Sequence, residues 1–212
     1  MLLVKDSMAR EVVTLSPRDT AGEALALCRE RRIRHLPVLE NGRLVGVVSD
    51  RDLRSATPAL GDPARAAALA EMRVGEVMAR EVVTAAPDDP IDGAANTMRE
   101  RSINCLPVLD ADELVGILTS SDVMESLVYL LGAHEPGSRM EVVVPDRPGT
   151  LAGVAGLIGE LGINIVSVVT GPRQEGSPPT RVAVFRVDTI SPSHAAEVLG
   201  KAGYTVLWPP QP

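Results

Sequence analysis

Aromatic side chains are nearly absent from this 212-residue chain: one Trp, one Phe and two Tyr, 2% of the residues. Its core must therefore be built from Val, Leu, Ile, Ala and Met. Cysteine is equally sparse. Cys28 and Cys105 have neither metal-ligand nor redox spacing, which fits a reduced, cytoplasmic setting. His35, His134 and His194 are dispersed, so no metal site is expected. Basic residues are not in excess: the net charge is −7, and the segment before Gly137 holds 15 basic and 22 acidic residues. That balance argues against a nucleic-acid or anionic-membrane partner, either of which needs a positive footprint. Long apolar runs are missing too. The most apolar stretch, Leu151 to Thr170, contains Glu160, Asn164 and four glycines, so no membrane span is expected. The start, Met1-Leu-Leu-Val-Lys5-Asp6, does not read as a secretory signal. There is no Walker A pattern, no Gly-x-Ser-x-Gly elbow and no His-Glu-x-x-His, so an enzyme is not expected.

What the chain does have is a repeat. Met8-Ala-Arg-Glu-Val-Val-Thr14 returns as Met78-Ala-Arg-Glu-Val-Val-Thr84, an offset of 70. The same offset carries Leu36-Pro-Val-Leu39 onto Leu106-Pro-Val-Leu109, and Gly46-Val-Val-Ser-Asp-Arg-Asp52 onto Gly116-Ile-Leu-Thr-Ser-Ser-Asp122. A unit this short cannot bury its apolar face alone, so the two copies are expected to pack as a pair with pseudo-symmetric sites.

Each copy reads strand, helix, strand, strand, helix. Glu11-Val-Val-Thr14 is a candidate strand, and Pro17-Arg-Asp-Thr20 leads into a helix. His35–Leu39 and Arg43–Val48 are β-branched runs joined by Asn41-Gly42, a hairpin signal that Ala111-Asp112 replaces in the second copy. Pro58 to Arg73 is an Ala-rich connection in which Pro63 fits a first helical turn. The boundaries read from this are 1–60 for the first unit, 61–132 for a linker helix and the second unit, and 138–212 for a separate domain. In that domain the order is βαββαβ, the ferredoxin-like arrangement. Its strands are Arg139–Val144, Ile163–Thr170, Arg181–Val187 and Tyr204–Leu207. One helix opens at Asp146-Arg-Pro-Gly-Thr150, and another follows Ser191 as N-cap with Pro192 at the first helical position. The fold class is thus α+β or α/β.

Ser49-x-x-Asp52 and Thr119-x-x-Asp122 have the spacing of helix caps. Ser49 also lies where strand becomes helix, beside N–H groups suited to an anion. Asp52 can accept two hydrogen bonds at once, and Gly46 permits close approach of ligand or backbone to a strand.

The repeated unit resembles the CBS domain, and the pair a tandem CBS (Bateman) module. The residues that carry the match are Arg34-His-Leu-Pro-Val38 and Asn104-Cys-Leu-Pro-Val108, with the two Gly-φ-x-Ser/Thr-x-x-Asp endings. The resemblance implies an adenosine ligand: AMP, ADP, ATP or S-adenosylmethionine. Its ribose would be held by Asp52 or Asp122 beside Ser49 or Thr119, its adenine would lie near Thr14 or Thr84, and its phosphates would reach basic residues. Arg34, His35 and Arg51 are opposed by uncharged Asn104, Cys105 and Ser121, so the sites are not equal.

The C-terminal part resembles the ACT domain through Asp146-Arg-Pro-Gly-Thr-Leu151 and Leu161-Gly-Ile-Asn-Ile165. This implies dimerisation through sheet edges and an amino acid held near Asp146, Gly149 and Asn164. The alternative is fold chemistry: Gly149 for a tight approach and Asn164 for a turn. Together the resemblances imply a non-enzymatic regulatory protein, at least a homodimer, with adenine nucleotide as its regulatory ligand, no cofactor, and an unidentified protein partner in acetoin or carbon metabolism. The competing reading is an assembly or scaffold protein with vestigial sites.

Overall fold

A computed structural model describes residues 2–210, which form two compact units that divide between Met124 and Glu125. The first unit holds both repeats. In chain order its elements are α1 (Val4–Ser7), α2 (Ala21–Arg31), β1 (His35–Glu40), β2 (Arg43–Ser49), α3 (Asp50–Ala56), α4 (Arg65–Glu71), α5 (Val74–Val77), α6 (Ile91–Arg101), β3 (Cys105–Asp110) and β4 (Glu113–Thr119). Helix α7 (Ser120–Leu130) begins in this unit and ends in the next.

Local chemistry explains these elements. Thr20 caps α2 in a reciprocal pair: its Oγ1 accepts from Glu23 N–H at 3.2 Å while its own N–H donates to Glu23 Oε2 at 2.8 Å. The β1–β2 turn has left-handed backbone at Asn41 (φ 53°) and Gly42 (φ 79°), as a two-residue hairpin requires. In the second repeat only Ala111 (φ 49°) carries positive φ at the turn. The Ala-rich connection forms α4, but Pro63 precedes its N-cap, Ala64, and so lies outside the first helical turn.

The strand expected at Glu11–Thr14 does not form. Leu15 alone pairs with β1, in a parallel bridge to Val38: its N–H donates to Pro37 O and its carbonyl accepts from Leu39 N–H. Prolines explain the shortness. Extending the ladder backward needs an N–H from Pro37, and extending it forward needs one from Pro17, and neither has one. Ala85 and Val108 form the same lone bridge, between Pro87 and Pro107.

The two repeats complete each other's cores. Val74 and Met78, which open the second repeat, are buried with Leu36, Val38, Val48 and Leu53 of the first. Val4 and Met8 are buried with Leu106, Val108 and Leu118 of the second. Reciprocal antiparallel bridges join Val47 to Ala79 and Ile117 to Ala9.

The second unit contains β5 (Ser138–Pro145), α8 (Thr150–Glu160), β6 (Ile165–Thr170), β7 (Thr180–Val187), α9 (Ser193–Lys201) and β8 (Thr205–Trp208). Its antiparallel sheet has the order β6-β7-β5-β8, the ferredoxin-like arrangement read from the sequence. Alternate residues of β5 (Met140, Val142, Val144) meet Val154 and Ile158 of α8 and Ala196 and Leu199 of α9 in one core. Strand Arg181–Val187 is central, paired on both sides, so it is no pairing edge; β6 and β8 are the edges. Helix α9 starts one residue later than expected. Pro192 is its N-cap, and Ser191 instead donates its N–H to Thr189 Oγ1.

Candidate functional site

The hairpins set the geometry. Register places His35 opposite Ser49 and Cys105 opposite Thr119, so the start of each first strand stands beside the end of the second. The main chain ties them: Asp50 N–H donates to Arg34 O at 2.9 Å and Ser120 N–H to Asn104 O at 3.0 Å. The Ser/Thr-x-x-Asp turns leave directly from these strand ends.

The first turn is a capping box, and the second shows the carboxylate half of one. Asp52 Oδ2 accepts from Ser49 N–H at 3.0 Å and Ser49 Oγ at 2.6 Å, and Asp52 N–H donates back to Ser49 Oγ at 3.2 Å. Asp122 Oδ2 accepts from both Thr119 N–H and Thr119 Oγ1 at 2.7 Å. In the first turn only Oδ2 is engaged, and among the described residues no hydrogen bond reaches Asp52 Oδ1. The first cap therefore uses one carboxylate oxygen and leaves the other able to accept a further hydrogen bond. The helix end offers an anion less than its position implies. Asp50 N–H is taken by Arg34 O and Asp52 N–H by Ser49 Oγ. Attraction for an anion must come from side chains.

Those side chains share one space. A cleft of about 780 Å³ is lined by Arg34, His35, Ser49, Arg51 and Asp52 of the first repeat and by Asn104, Cys105, Thr119, Ser121 and Asp122 of the second. The volume suits a drug-sized or nucleotide-sized ligand. Val82, Val83 and Ile117 give it an apolar wall. Thr14 and Thr84 are not among the lining residues, although Val83 beside Thr84 is. Sequence reasoning missed Arg32 and its twin Ser102, and also Glu81. Arg32 and Ser102 end their helices in left-handed conformation, at φ 55° and 54°. The offset of 70 relates them directly and was signal enough.

Electrostatics differ around the cleft. Arg32, Arg34 and Arg51 have no carboxylate within salt-bridge distance among the described residues, whereas Asp50 is held by Arg54 at 3.5 Å. Burial pulls the His35 imidazole below its ordinary range. Asp50 and Asp52 oppose that pull, and Arg34 and Arg51 add to it. Burial, aided by the charge of Asp52, pushes the Cys105 thiol up to about 11, so this thiol stays protonated and inert at neutral pH.

The second unit has its own cavity, about 690 Å³, between the β5–α8 turn and the α9–β8 turn. Gly149, Arg147, Thr150 and Tyr204 line it; Asp146 and Asn164 do not. Asp146 instead accepts from Arg181 Nε at 2.8 Å and pairs with Arg173 at 3.5 Å. Gly149 serves conformation rather than close approach: its φ is 84°, and nothing lies within 4 Å of a Cβ built there. Asn164 accepts Asp188 N–H on its carbonyl, and Gly162 (φ 71°) takes the left-handed position of that turn.

Among the described residues, no group of three or more His, Cys, Asp and Glu is arranged to hold a metal ion, and no helix is long and apolar enough to cross a membrane.

Comparison with known proteins adds to this geometry. The CBS domain family matches residues 4–58 and 74–129, more than half the chain, and the ACT domain family matches 138–203. A CBS domain-containing protein of Bacillus subtilis, YhcV, is 35% identical over 123 residues, covering 58% of this chain and 84% of the relative. The homoserine O-acetyltransferase of Methanohalobium evestigatum is 34% identical over 122 residues, but the match spans only 23% of that enzyme. Among solved structures, a Vibrio cholerae protein assigned to acetoin utilization (AcuB) has TM-score 0.54 and 36% identity, covering 64% of this chain and 99% of that one. The CBS domain pair of protein MJ0100, in complex with 5′-methylthioadenosine and S-adenosyl-L-methionine, has TM-score 0.51 and 30% identity, with coverage of 64% and 99%. CBSX2 in complex with AMP has TM-score 0.54 and 26% identity, with coverage of 61% and 99%.

Proposed function

Because the chain belongs to the CBS domain family, with two CBS domains followed by an ACT domain, we propose that it is a non-enzymatic regulatory protein that senses an adenine nucleotide through its CBS pair. One observation carries this reading. Both Ser/Thr-x-x-Asp turns, one from each repeat, open on a single cleft with an apolar wall and unpaired guanidiniums. A carboxylate oxygen at Asp52 or Asp122 suits ribose hydroxyls, Val82 and Val83 suit a purine face, and Arg34 and Arg51 suit phosphate oxygens. The solved CBS pairs that resemble this one were captured with AMP, 5′-methylthioadenosine and S-adenosylmethionine, which supports an adenosine ligand here.

Regulation follows from where the walls come from. Each repeat supplies part of the cleft, so a bound ligand touches both and favours one relative arrangement of them. Only that difference in affinity between arrangements can transmit a signal. The match to homoserine O-acetyltransferase takes in only 23% of that enzyme, which supports a shared sensing module over a shared catalyst. The ACT domain supplies self-association through a sheet edge, and its cavity at Gly149 is the candidate place for an amino acid. The likeness to a protein assigned to acetoin utilization supports a target in carbon metabolism.

Calorimetric titration of the full chain with AMP, ADP, ATP and S-adenosylmethionine tests the reading. Saturable binding of at least one is expected. Binding of none at millimolar concentration would leave the scaffold reading in its place.

A further inference from the structure

Helix α7 is inside out at its C-terminal end. Of its residues only Ser126 is buried. Leu127, Val128, Tyr129 and Leu130, four large side chains in succession, are between 43% and 62% exposed. Four successive residues reach most of the way round a helix, and a turn that is apolar all round belongs inside an interface. Its own copy does not cover it. Leu131 O accepts from Ser167 Oγ at 2.8 Å and Glu135 O from the Arg186 guanidinium, which pins the segment after α7 to β6 and β7 and leaves Leu127–Leu130 bare. Tyr129 is held ready by stacking on His134, with ring centres 4.7 Å apart.

The sheet of the same compact unit has the complementary lack. Helices α8 and α9 cover one face only. Alternation puts Val182, Val184 and Arg186 of β7 on the other face, and register sets Val169 beside Val184 and Ser167 beside Arg186. None of these valines belongs to the core between sheet and helices, so the face lacks a covering layer. Arg186 lacks a partner as well. Its Nε is buried without an acceptor, and among the described residues no carboxylate lies within salt-bridge distance of it. A half-buried cation in that state is costly until a carboxylate arrives. Glu125 is exposed and equally without an ion pair among the described residues. It stands three and four residues before Val128 and Tyr129, on the same face of α7.

We propose that this face of the sheet receives the end of α7 from a second copy of the chain and gives its own α7 in return. Val128 and Tyr129 lie on Val169, Val182 and Val184, and Glu125 of one copy pairs with Arg186 of the other. Each chain carries one such helix end and one such face, with opposite charges, so two copies satisfy each other with nothing left over. The contact goes beyond association through a sheet edge, which leaves both the helix and the face bare.

Charge exchange on the full chain tests it. Light scattering across a dilution series reads the association, and circular dichroism checks the fold of each variant. Glu125→Arg sets like charges against each other in both contacts, and so does Arg186→Glu; each should weaken self-association by about tenfold or more. Mixing the two variants restores both opposite-charge pairs, so heterodimers should form with an affinity within about threefold of the unaltered chain's. A pair formed within one copy would not be repaired by mixing. Val128→Asp, at an exposed position, should weaken association as much, whatever Arg186→Glu does to the fold. Variants that associate as well as the unaltered chain would overturn the proposal, as would a mixture no better than either variant alone. So would a monomeric unaltered chain, which would hand both surfaces to another protein. A dimer held by the β6 edge alone is indifferent to both charge changes, so failure of this contact and failure of edge pairing read differently.

Discussion

The sulfur of Met78 occupies the space where a side chain on Gly46 would stand: a Cβ built on Gly46 would lie 2.5 Å from Met78 Sδ and 3.0 Å from Ala79 O. Gly116 faces Met8 and Ala9 O in the same way. Each glycine of the Gly-φ-x-Ser/Thr-x-x-Asp pattern therefore admits the opening methionine of the other repeat, not a ligand. The backbone of Ala79 passes close enough to exchange hydrogen bonds with Val47, donating at 2.9 Å and accepting at 3.0 Å.

That relationship predicts the outcome of Gly46→Ala. A methyl group at this point must push the Met78 side chain aside and press on Ala79 O, which costs about 1–3 kcal/mol. Urea unfolding followed by circular dichroism should show the loss. In Met78→Ala the obstructing sulfur is gone, so adding Gly46→Ala there should cost clearly less. Equal costs in the two backgrounds would show that the sulfur is not the obstacle. The same exchange of segments predicts that residues 1–72 produced alone stay unfolded, since Val74 and Met78 belong to their core.

Asp52 closes a cap with one oxygen, and the proposed ribose contact falls to the other. Oδ2 closes the cap with Ser49, and Oδ1 faces no partner among the described residues. Asp52→Asn keeps an acceptor for the cap and removes the charge. Its stability should fall by less than about 1 kcal/mol, whereas adenosine-ligand affinity should fall by about 1.5–3 kcal/mol, the worth of hydrogen bonds to a charged group. Thermal unfolding and calorimetry on one preparation measure both. An unchanged affinity would remove the ribose role from this residue.

His35 gives the protein a pH signature. Burial holds its imidazole below the ordinary value of 6.5, and Arg34 and Arg51 oppose its protonation while Asp50 and Asp52 favour it. The unfolded chain therefore binds this proton more readily than the folded one. The contribution to stability is complete above pH 6.5 and is lost as pH falls through the lower folded value. His35→Gln should flatten stability against pH over that window without altering the plateau slope above it. A variant curve parallel to the wild type through the window would contradict the assignment.

The architecture was legible where side-chain pattern dictates structure. The offset repeat, the Asn41-Gly42 turn and the alternating residues of β5 all encode local geometry, and the structure contains each. The paired Ser/Thr-x-x-Asp turns were legible because a helix cap demands a hydroxyl three residues before an acceptor. What escaped was long-range. Pro37 reads as a strand residue, yet its missing N–H matters only because Leu15 lies beside it. Gly46 reads as room for a ligand until Met78 arrives from the other repeat. Arg32 reads as a surface arginine at a helix end until the cleft that it lines is seen.

The sheet edges of the ACT domain carry the last prediction, that the chain self-associates through β6. Edge strands expose unpaired N–H and C=O groups and are normally blunted by charge, proline or shortness. Strand β8 is blunted: it has four residues and runs into Pro209 and Pro210. Strand β6 is not. It is six residues long, Ile-Val-Ser-Val-Val-Thr, without charge or proline, and Val168 and Val169 are 46% and 43% exposed. It hydrogen-bonds to β7 on one side only. Light scattering at micromolar concentration should therefore find at least a dimer for the full chain. Val169→Lys places a charge on that edge and should shift the population toward monomer while leaving the far-ultraviolet circular dichroism unchanged. A monomeric full-length chain would overturn self-association altogether. A dimer indifferent to Val169→Lys, and equally to removal of residues 125–212, would move the interface to the CBS pair.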